Sequence, residues 1–401
     1  MASSILEEPF QLTDTLRLRN RFVATAHGRA AVVDGMPTAA DAEYWRRLAE
    51  GGAAMCIAGG TATAADSTYR TRVLTEAWRP EAVPGLKLRA DAMHAGGAAA
   101  ILQLVHLGRE TLGAEIYYHP VAPSAVRSPR EPTRPRPAIE ADIDEIVDGF
   151  RLAAMHAAEA GFDGIELHAA HGYLLAQFLS AATNRRPDAG TIAGRLELLE
   201  RVADTVRSAA PGKALGVRLS VGDPEDAGLT FEEIEQILPA LSPTFDYINL
   251  TVGMRADYVR DMATTRPPLL DDVARLRRAT ERPLLISHGF RDADAMVAAR
   301  EAGADLVGMA RALIADPDLP RKVLAGRARE VRPCVACNED CRAFDPTLLC
   351  SVNPDLAAPG DAQRRAAPLV RGAARQTAAR RVAIVGAGPA GLETALTLRR
   401  A

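Results

Sequence analysis

The chain has 401 residues, of which 48% are hydrophobic, and a formal net charge of −3. This composition supports one large domain with an appendage, or two to three average domains, each with a buried core. The small net charge excludes the global basic field of nucleic-acid-binding proteins, and no apolar run reaches the roughly 20 residues of a membrane span.

Short apolar runs recur along the first part of the chain with helical segments between them. They lie at 21–26, 54–59, 98–104, 164–168, 215–220, 247–250, 284–287 and 305–310. Their length and their general lack of polar alternation are typical of strands buried on both faces of a parallel sheet. The segments 142–160 and 196–209 are amphipathic helices by their periodicity. We therefore predict an α/β fold with a (β/α)8 barrel over residues 1–330, although an open doubly wound sheet also fits the strand count.

Three polar side chains follow the fourth apolar run: His168, His171 and Tyr173. In a barrel, residues at the carboxyl ends of strands face the active-site mouth. The histidines could merely satisfy buried backbone groups, or hold zinc, although no third ligand is evident nearby. Alternatively, two imidazole N–H groups hold a substrate oxygen while the phenol supplies a proton. The last interpretation suits hydride addition to an activated C=C bond.

The placement of the five cysteines separates one of them from the others. Cys56 stands alone in an apolar run, whereas Cys334, Cys337, Cys341 and Cys350 fall within one segment, 331–355. The N-terminus lacks a signal-peptide pattern, so we expect a cytoplasmic protein, in which such a cluster indicates a metal centre rather than disulfides. The spacing C-x2-C-x3-C-x8-C suits a [4Fe–4S] cluster. Structural zinc more often uses two separated C-x2-C pairs.

The composition of the sequence changes after the cysteines. Residues 356–380 are rich in Ala, Pro, Gly and Arg without apolar periodicity, which predicts a linker. Residues 381–401 predict a strand, a turn with Gly386, Gly388 and Gly391, and a helix, which is the dinucleotide-binding fingerprint in its usual context. A complete domain of this kind needs roughly 100 residues more. We expect the beginning of an FAD/NAD(P)-binding domain of a longer protein, unable to bind a dinucleotide by itself.

Six segments form an ordered set of motifs along the chain. They are NRFVATAH at 20–27, QLVHLGRE at 103–110, GFDGIELHAAHGYLLAQFLS at 161–180, TNRR at 183–186, VRLS at 217–220 and DLVGMARALIADPDLP at 305–320. Together they resemble the old yellow enzyme family of flavin-dependent barrels. The likeness is strongest to the long branch that includes bacterial 2,4-dienoyl-CoA reductases and trimethylamine dehydrogenase. It covers essentially the whole chain and favours the closed barrel.

The resemblance implies non-covalent binding of FMN at the barrel mouth. The residues that it places around this cofactor are Ala26, His27, Gly28, Gly60, Gln103, Arg218, Gly289, Gly308, Met309, Ala310 and Arg311. Gln103 would bond the pyrimidine edge, and Arg218 would stabilise the reduced anion. Gly289 and the segment 308–311 would hold the phosphate through backbone N–H groups and the guanidinium of Arg311. The alternatives are a barrel-interior ion pair for Arg218 and a surface charge at a helix start for Arg311.

The same resemblance assigns roles to the three polar residues after the fourth run. His168 and His171 match the pair that binds the activating oxygen in ene-reductases, and Tyr173 matches the proton donor. Relatives similar to trimethylamine dehydrogenase usually carry Tyr in place of His168, so ene reduction is favoured over amine oxidation. Gly28 departs from the Thr or Cys common in the family, which puts the usual redox tuning in doubt. Thr191 to Arg195 also departs from the family pattern, with little expected consequence.

The implied electron path runs from NAD(P)H to FAD in the nucleotide-binding domain, then through the [4Fe–4S] cluster to FMN. The expected small-molecule substrate carries an activated alkene, as an enone, enoate or dienoyl thioester. The principal rival is an amine dehydrogenase or N-demethylase that sends electrons outward. A rival from another class is a non-catalytic, metal-stapled barrel. The sequence leaves open the substrate, the choice of NADH or NADPH, and whether the protein is a homo-oligomer.

Overall fold

The computed structural model describes residues 4–67, 74–111, 119–222, 229–253, 266–343, 347–356 and 382–400. It divides into two compact units, Met1–Leu356 and Ala357–Ala401. Apart from Leu356, the predicted linker lies outside the described residues.

The first unit is built on eight parallel strands that close into a barrel. They are β1 Phe22–His27, β2 Met55–Ala62, β3 Ala99–Val105, β4 Gly164–Ala169, β5 Ala214–Val221, β6 Tyr247–Val252, β7 Leu284–Ser287 and β8 Leu306–Met309. Each strand pairs with the next along the chain, and β8 pairs with β1. Every predicted strand is present, with its ends within three residues of the expected ones. The expected barrel is confirmed, and the open doubly wound sheet is excluded.

Helices surround the strands and complete the alternating pattern. Their bounds are α1 Ser4–Glu7, α2 Ala39–Glu50, α3 Val83–Ala95, α4 Glu140–Glu159, α5 Leu174–Leu179, α6 Ile192–Ala209, α7 Phe231–Leu241, α8 Val273–Arg278, α9 Ala293–Glu301, α10 Arg311–Ala315, α11 Leu319–Leu324 and α12 Asp340–Ala343. The second unit has a helix of its own, α13 Pro389–Arg400. Four of the surrounding helices begin at a side-chain cap, in which Thr38, Thr191, Thr230 or Asp292 accepts a hydrogen bond from a first-turn N–H group. Such caps satisfy donors that the helix itself leaves unpaired. Within the described ranges, no helix has the length and apolar content needed to cross a membrane.

Short elements decorate the barrel. Two-residue strands pair as Phe10–Gln11 with Arg17–Leu18, Val32–Val33 with Met36–Pro37, and Val121–Ala122 with Arg136–Pro137, and Thr75–Glu76 pairs with β2. Single 3-10 turns lie at Pro80–Ala82, Gly108–Glu110, Pro187–Gly190, Leu270–Asp272 and Ala328–Glu330.

The barrel interior begins with an apolar layer. Its buried members are Leu12, Leu18, Val23, Ala54, Met55, Ile57, Ile101, Tyr247, Leu285 and Leu306. A Cβ atom at Gly216 on β5 would lie 2.1 Å from the ring of Tyr247. The glycine therefore makes room for this ring, whose hydroxyl reaches Glu166 on β4. The interior changes from apolar to polar at this point, on the way towards the carboxyl ends of the strands.

The C-terminal unit contains the predicted glycine turn and helix. Gly386 has a φ of +108°, and α13 begins three residues later. A Cβ atom at Gly391 would lie 2.0 Å from the carbonyl oxygen of Gly386, so this contact requires glycine. The predicted strand is wrong for residues 382–387, which form no strand. A strand needs a neighbour for its hydrogen bonds, and the described part of this unit offers none.

One ion pair makes barrel stability depend on pH. His94 in the last turn of α3 lies with Nε2 2.8 Å from Oδ2 of Asp163, an oxygen that also accepts from the Ala100 N–H group at 2.8 Å. The hydrogen bond to Asp163 raises the pKa of His94. Because the folded pKa is above the unfolded value of about 6.5, the stabilisation is complete below that pH and is lost as the pH rises through the folded pKa.

We therefore expect His94→Gln to reduce the free energy of unfolding more at about pH 6 than at about pH 8.5. The His94 side chain is 39% exposed, so solvent screening keeps the difference below about 1 kcal/mol. Urea denaturation of both proteins at the two pH values measures it. An equal loss of stability at both values would show that the histidine charge contributes nothing.

Candidate active site

The carboxyl end of β4 brings the three predicted catalytic side chains together. The ring of His168 lies 5.1 Å from that of His171 and 4.8 Å from that of Tyr173, both edge to face. His171 has a φ of +60° and Gly172 one of +74°, so the chain turns sharply between the histidines and Tyr173. All three side chains are buried. The turn thus places two imidazoles and a phenol in one cluster.

Hydrogen bonds assign the tautomers of the two histidines. The Ala170 N–H group donates to Nδ1 of His168 at 3.3 Å, so the proton of this ring is on Nε2. Nε2 of His168 lies 3.4 Å from Nδ1 of His171 and donates to it, which leaves the proton of His171 on Nε2. The rings therefore form a chain of donors that ends at His171. The clamp expected from the sequence, in which both imidazole N–H groups hold one substrate oxygen, stays a prediction.

Both imidazoles are neutral near physiological pH. Burial lowers the pKa of His168 and of His171 well below the usual value, and the positive charge of Arg218 lowers both further. His288, which follows β7, also lowers the pKa of His171, so it lies within electrostatic range of the cluster. His288 has a φ of +95°, an unusual and strained conformation for a side chain of this size. It was not among the predicted site residues.

Arg218 on β5 connects several strands at the barrel mouth. It is opposite His168 in the pairing of β4 with β5. Its Nη1 donates to the carbonyl oxygen of Ala26 at 3.3 Å, and its Nη2 donates to Oγ1 of Thr251 at 3.5 Å. The side chain is 7% exposed. Two expected FMN contacts, Arg218 and Ala26, therefore lie side by side.

The side chain of His27 is directed into the protein. Its Nδ1 donates to the carbonyl oxygen of Thr25 at 2.7 Å, and its Nε2 accepts from the hydroxyl of Tyr44. Its ring lies 5.0 Å from that of Trp45. Burial lowers the pKa of His27 to about 4. Both ring nitrogens are thus engaged, and a contact of this residue with a cofactor would come from its backbone.

Glycines line the mouth at the ends of four strands. A Cβ atom at Gly60 would lie 3.4 Å from Cα of Gly28, whereas one at Gly28 would meet nothing within 4 Å. On the other side, Gly289 follows β7, and Gly308 lies in the neighbouring strand β8, where it pairs with Ser287. Met309 and Ala310 continue this side to α10, which begins at Arg311. The expected FMN contacts of the barrel thus meet around one mouth.

The amide of Gln103 is held by Glu166, a residue that the sequence analysis did not assign to the site. Its Nε2 donates to Oε1 of Glu166 at 2.6 Å. Glu166 precedes His168 by two residues in β4, and side chains two apart in a strand share a face. This spacing is the signal that could have placed a buried acid under the site.

The four clustered cysteines line one cleft with about 310 Å³ of space, part of it open to solvent. Burial raises the pKa of Cys341 to about 11, and Arg311 opposes this rise. The guanidinium of Arg311 donates to Oδ1 of Asn338 at 2.7 Å, so it faces the cysteine segment as well as following the glycines of β8. Across the described ranges, no three ligating side chains are close enough to hold one metal ion.

The cysteine segment contacts the loop that follows β1. The Leu348 N–H group donates to the carbonyl oxygen of Arg29 at 3.0 Å, and Oγ1 of Thr347 donates to the same oxygen at 2.7 Å. The guanidinium of Arg29 lies 5.0 Å from the ring centroid of Tyr44, the partner of His27. The two candidate cofactor regions are thus adjacent within the first unit. Gly386, Gly388 and Gly391 belong to the second unit.

A second cleft, open to solvent, borders the histidine turn. Its lining residues are Arg109, Ala169, Gly172, Ala176, Gln177, Ser180, Thr183, Ser220, Gly222 and Leu229. Oγ of Ser220 accepts from the His171 N–H group at 3.0 Å, which connects this cleft to the cluster of His168, His171 and Tyr173. Small and polar side chains here leave room beside the mouth.

Comparison with known proteins agrees with this geometry. The chain is 33% identical over 411 residues to a multifunctional alkene reductase/demethylase OYE of Caballeronia cordobensis, which covers 98% of this chain and 58% of that protein. The solved structure of a 2-naphthoyl-CoA reductase aligns with a TM-score of 0.88 at 27% identity over 98% of this chain and 63% of that one. Histamine dehydrogenase from Rhizobium sp. 4-9 aligns with a TM-score of 0.84 at 26% identity over 100% of this chain and 59% of that one.

The chain thus spans less than two thirds of the length of each of these proteins. Residues 6–330, which include the whole barrel, match one family of flavin-dependent oxidoreductases. The expected resemblance to old yellow enzymes is confirmed, and the chain belongs to the NADH:flavin oxidoreductase / NADH oxidase family.

Proposed function

We propose that this protein is an FMN-dependent ene-reductase that reduces an activated C=C bond with electrons from NAD(P)H. The substrate class is an enone, an enoate or a dienoyl thioester. The observation that supports this activity is the cluster of His168, His171 and Tyr173 at the carboxyl end of β4, opposite the buried cation of Arg218. It combines neutral donors for an oxygen with a phenol for proton transfer.

The residues at the mouth fit FMN. Arg218 supplies a buried positive charge, Gln103 an amide, and the glycines at the ends of β1, β2, β7 and β8 a surface without side chains. Bound in its reduced form, FMN would supply the hydride. A cation beside the flavin stabilises the negative charge of the reduced form. Gly289 and the segment 308–310 would hold the phosphate through backbone N–H groups.

The histidine chain would hold the substrate oxygen. As hydride adds to the β-carbon, negative charge develops on the conjugated oxygen, and fixed donors stabilise it. His168 donates to Nδ1 of His171, which polarises the Nε2–H group of His171 and makes it a better donor. Both rings are neutral, so they would stabilise the oxygen through a hydrogen bond and not through a positive charge on an imidazole.

Tyr173 would then deliver a proton to the α-carbon. Its ring packs edge to face on His168 at 4.8 Å, which limits its orientations. Its position at the start of α5 is set by the N–H group of Leu174, which donates to the carbonyl oxygen of His106 at 2.9 Å. A phenol is a suitable acid because it is protonated at neutral pH yet can share its proton with a developing carbanion.

The donor set of the cysteine cleft fits a [4Fe–4S] cluster. Four thiols around one cleft, with the spacing C-x2-C-x3-C-x8-C, favour a polynuclear centre over zinc. Cys334, Cys337, Cys341 and Cys350 would be the ligands. Such a cluster supplies single-electron transfer, here towards FMN from FAD in a nucleotide-binding domain that residues 381–401 begin.

Oxidation of an amine is the second candidate. The similar proteins include a histamine dehydrogenase and a multifunctional alkene reductase/demethylase, so both kinds of activity occur among relatives of this chain. The open space at Gly28 would accommodate an alkylammonium group beside the flavin. His168 favours ene reduction, because an imidazole donor chain suits an oxygen rather than a cation.

An anaerobic experiment tests the proposed direction. The purified, FMN-loaded protein is reduced with light, and a cyclic enone is added while the flavin absorbance is followed. We expect rapid reoxidation of the flavin by the enone. Failure of the enone to reoxidise it, together with bleaching of the oxidised flavin by small alkylamines, would overturn ene reduction in favour of amine oxidation.

Substitution of the proton donor separates its role from that of the flavin. We expect Tyr173→Phe to slow reoxidation by the enone about 10²- to 10⁴-fold, because the α-carbon then lacks a positioned acid. Light-driven reduction of FMN should be unchanged. Reoxidation by molecular oxygen, which needs no donor to carbon, is the control. Wild-type rates with the enone would exclude Tyr173 as the acid.

Substitution of a cysteine tests the metal centre. We expect Cys341→Ser to lose most of the iron and the broad iron–sulfur absorbance while the barrel retains FMN. Cys56→Ala is the matched control, because Cys56 is buried in β2 and lies outside the cysteine segment 331–355. Metal analysis of the wild-type protein should give about four iron atoms per chain. One zinc atom per chain instead would contradict the cluster.

A further inference from the structure

Glu166 is a fully buried acid for which the proposed reaction has no use. It lies in β4 with 0% exposure, two residues before His168 and on the same face of the strand. An ionisable side chain inside a barrel is costly unless hydrogen bonds and a counter-charge compensate it. Its environment therefore indicates what it does.

Three donors converge on the two oxygens of Glu166. Nε2 of Gln103 donates to Oε1 at 2.6 Å, and Oε2 accepts from the hydroxyl of Tyr247 at 3.1 Å and from Nδ2 of Asn249 at 3.0 Å. The amide of Asn249 is fixed at its other end, where Oδ1 accepts from Oγ of Ser287 at 2.6 Å. This polar network crosses the barrel interior from β3 to β7.

The network suits the ionised form of Glu166. Burial raises its pKa, while the positive charge of Arg218 and the hydrogen bonds from the three donors oppose the rise. A carboxylate can accept all three hydrogen bonds, whereas a protonated carboxyl would have to donate one. Gly216 on β5 is the residue opposite Glu166, and Arg218 follows Gly216 by two residues on the same strand. The carboxylate of Glu166 and the guanidinium of Arg218 are therefore neighbouring opposite charges at the base of the mouth.

The carboxylate also orients Gln103. A carboxylate only accepts hydrogen bonds, so the amide nitrogen of Gln103 must face it. The amide oxygen is consequently directed away from Glu166. This orientation leaves an acceptor, rather than a donor, for a ligand at the mouth.

We propose that Glu166 is a positioning residue that sets the electrostatics of the flavin site, by offsetting the charge of Arg218 and by fixing the amide of Gln103. This role rests on the proposed FMN site. Arg218 alone would strongly favour the anionic reduced flavin. The nearby carboxylate moderates this preference, so the flavin remains a stronger reductant towards its substrate.

The test is the midpoint potential of bound FMN, titrated anaerobically in the wild-type protein and in Glu166→Gln. Glutamine retains the size of the side chain but removes its charge. We expect the variant to favour the reduced flavin by about tenfold, a shift of about +30 mV for a two-electron couple. Glu166→Asp, which retains the charge, should remain close to the wild-type potential.

Asp163→Asn is the matched control for loss of a negative charge. Asp163 precedes β4 at the opposite end of the same strand, about 17 Å from His168 at strand spacing. Its substitution should leave the potential unchanged. An unchanged potential in Glu166→Gln, or equal shifts in Glu166→Gln and Asp163→Asn, would overturn the role of Glu166.

A further variant covers a failure of Glu166→Gln to fold. Tyr247→Phe removes one donor at nearly constant volume, so Glu166 should accept a proton at higher pH. The potential of this variant should rise above that of the wild type as the pH is lowered, and parallel curves would overturn the proposal. Absence of FMN from the wild-type protein would refute the proposed function itself, whereas bound FMN with an unaltered potential would refute only the role of Glu166.

Discussion

The buried guanidinium of Arg218 is the charge around which the barrel mouth is organised. It lowers the pKa of His27, His168 and His171 and acts on Glu166 in the sense that favours the carboxylate. A buried cation is stable only if hydrogen bonds and an opposite charge compensate its loss of hydration. The carbonyl oxygen of Ala26 supplies one such hydrogen bond from β1. The neutral state of the histidines follows first from their burial, and this charge reinforces it.

The polar mouth depends on how the apolar layer beneath it is filled. Gly216 has no side chain, and the ring of Tyr247 occupies the space that one would take. The phenol hydroxyl therefore lies next to Glu166 and donates a hydrogen bond to its carboxyl group. One glycine and one tyrosine on adjacent strands thus join a packed hydrophobic floor to a hydrogen-bonded layer. The barrel interior changes from apolar to polar within two residues along β6, from Tyr247 to Asn249.

The strands were predictable because each is apolar on both faces and ends near a glycine or a polar residue, as β4 does at His168. The parallel arrangement and the family motifs also predicted that one mouth would bring together His168, Gln103 and Arg218. The tautomers of the histidines did not, because they depend on the Ala170 N–H group and on ring orientation. The role of Glu166 was also hidden, since its partners Tyr247 and Asn249 are more than 80 residues away. The strand expected at 382–387 failed because strands need partners that local sequence cannot supply.

The cysteine segment is anchored to a residue from the beginning of the chain. Thr347 donates to the carbonyl oxygen of Arg29, 318 residues earlier, and Leu348 donates to the same atom. A contact of such sequence separation forms only after the intervening chain has been drawn together. The segment can therefore make this contact only when the chain that follows β1 has been brought close to the chain that follows β8. During synthesis, the four clustered cysteines are made after all eight barrel strands, so their segment is the last part of the first unit that can be added.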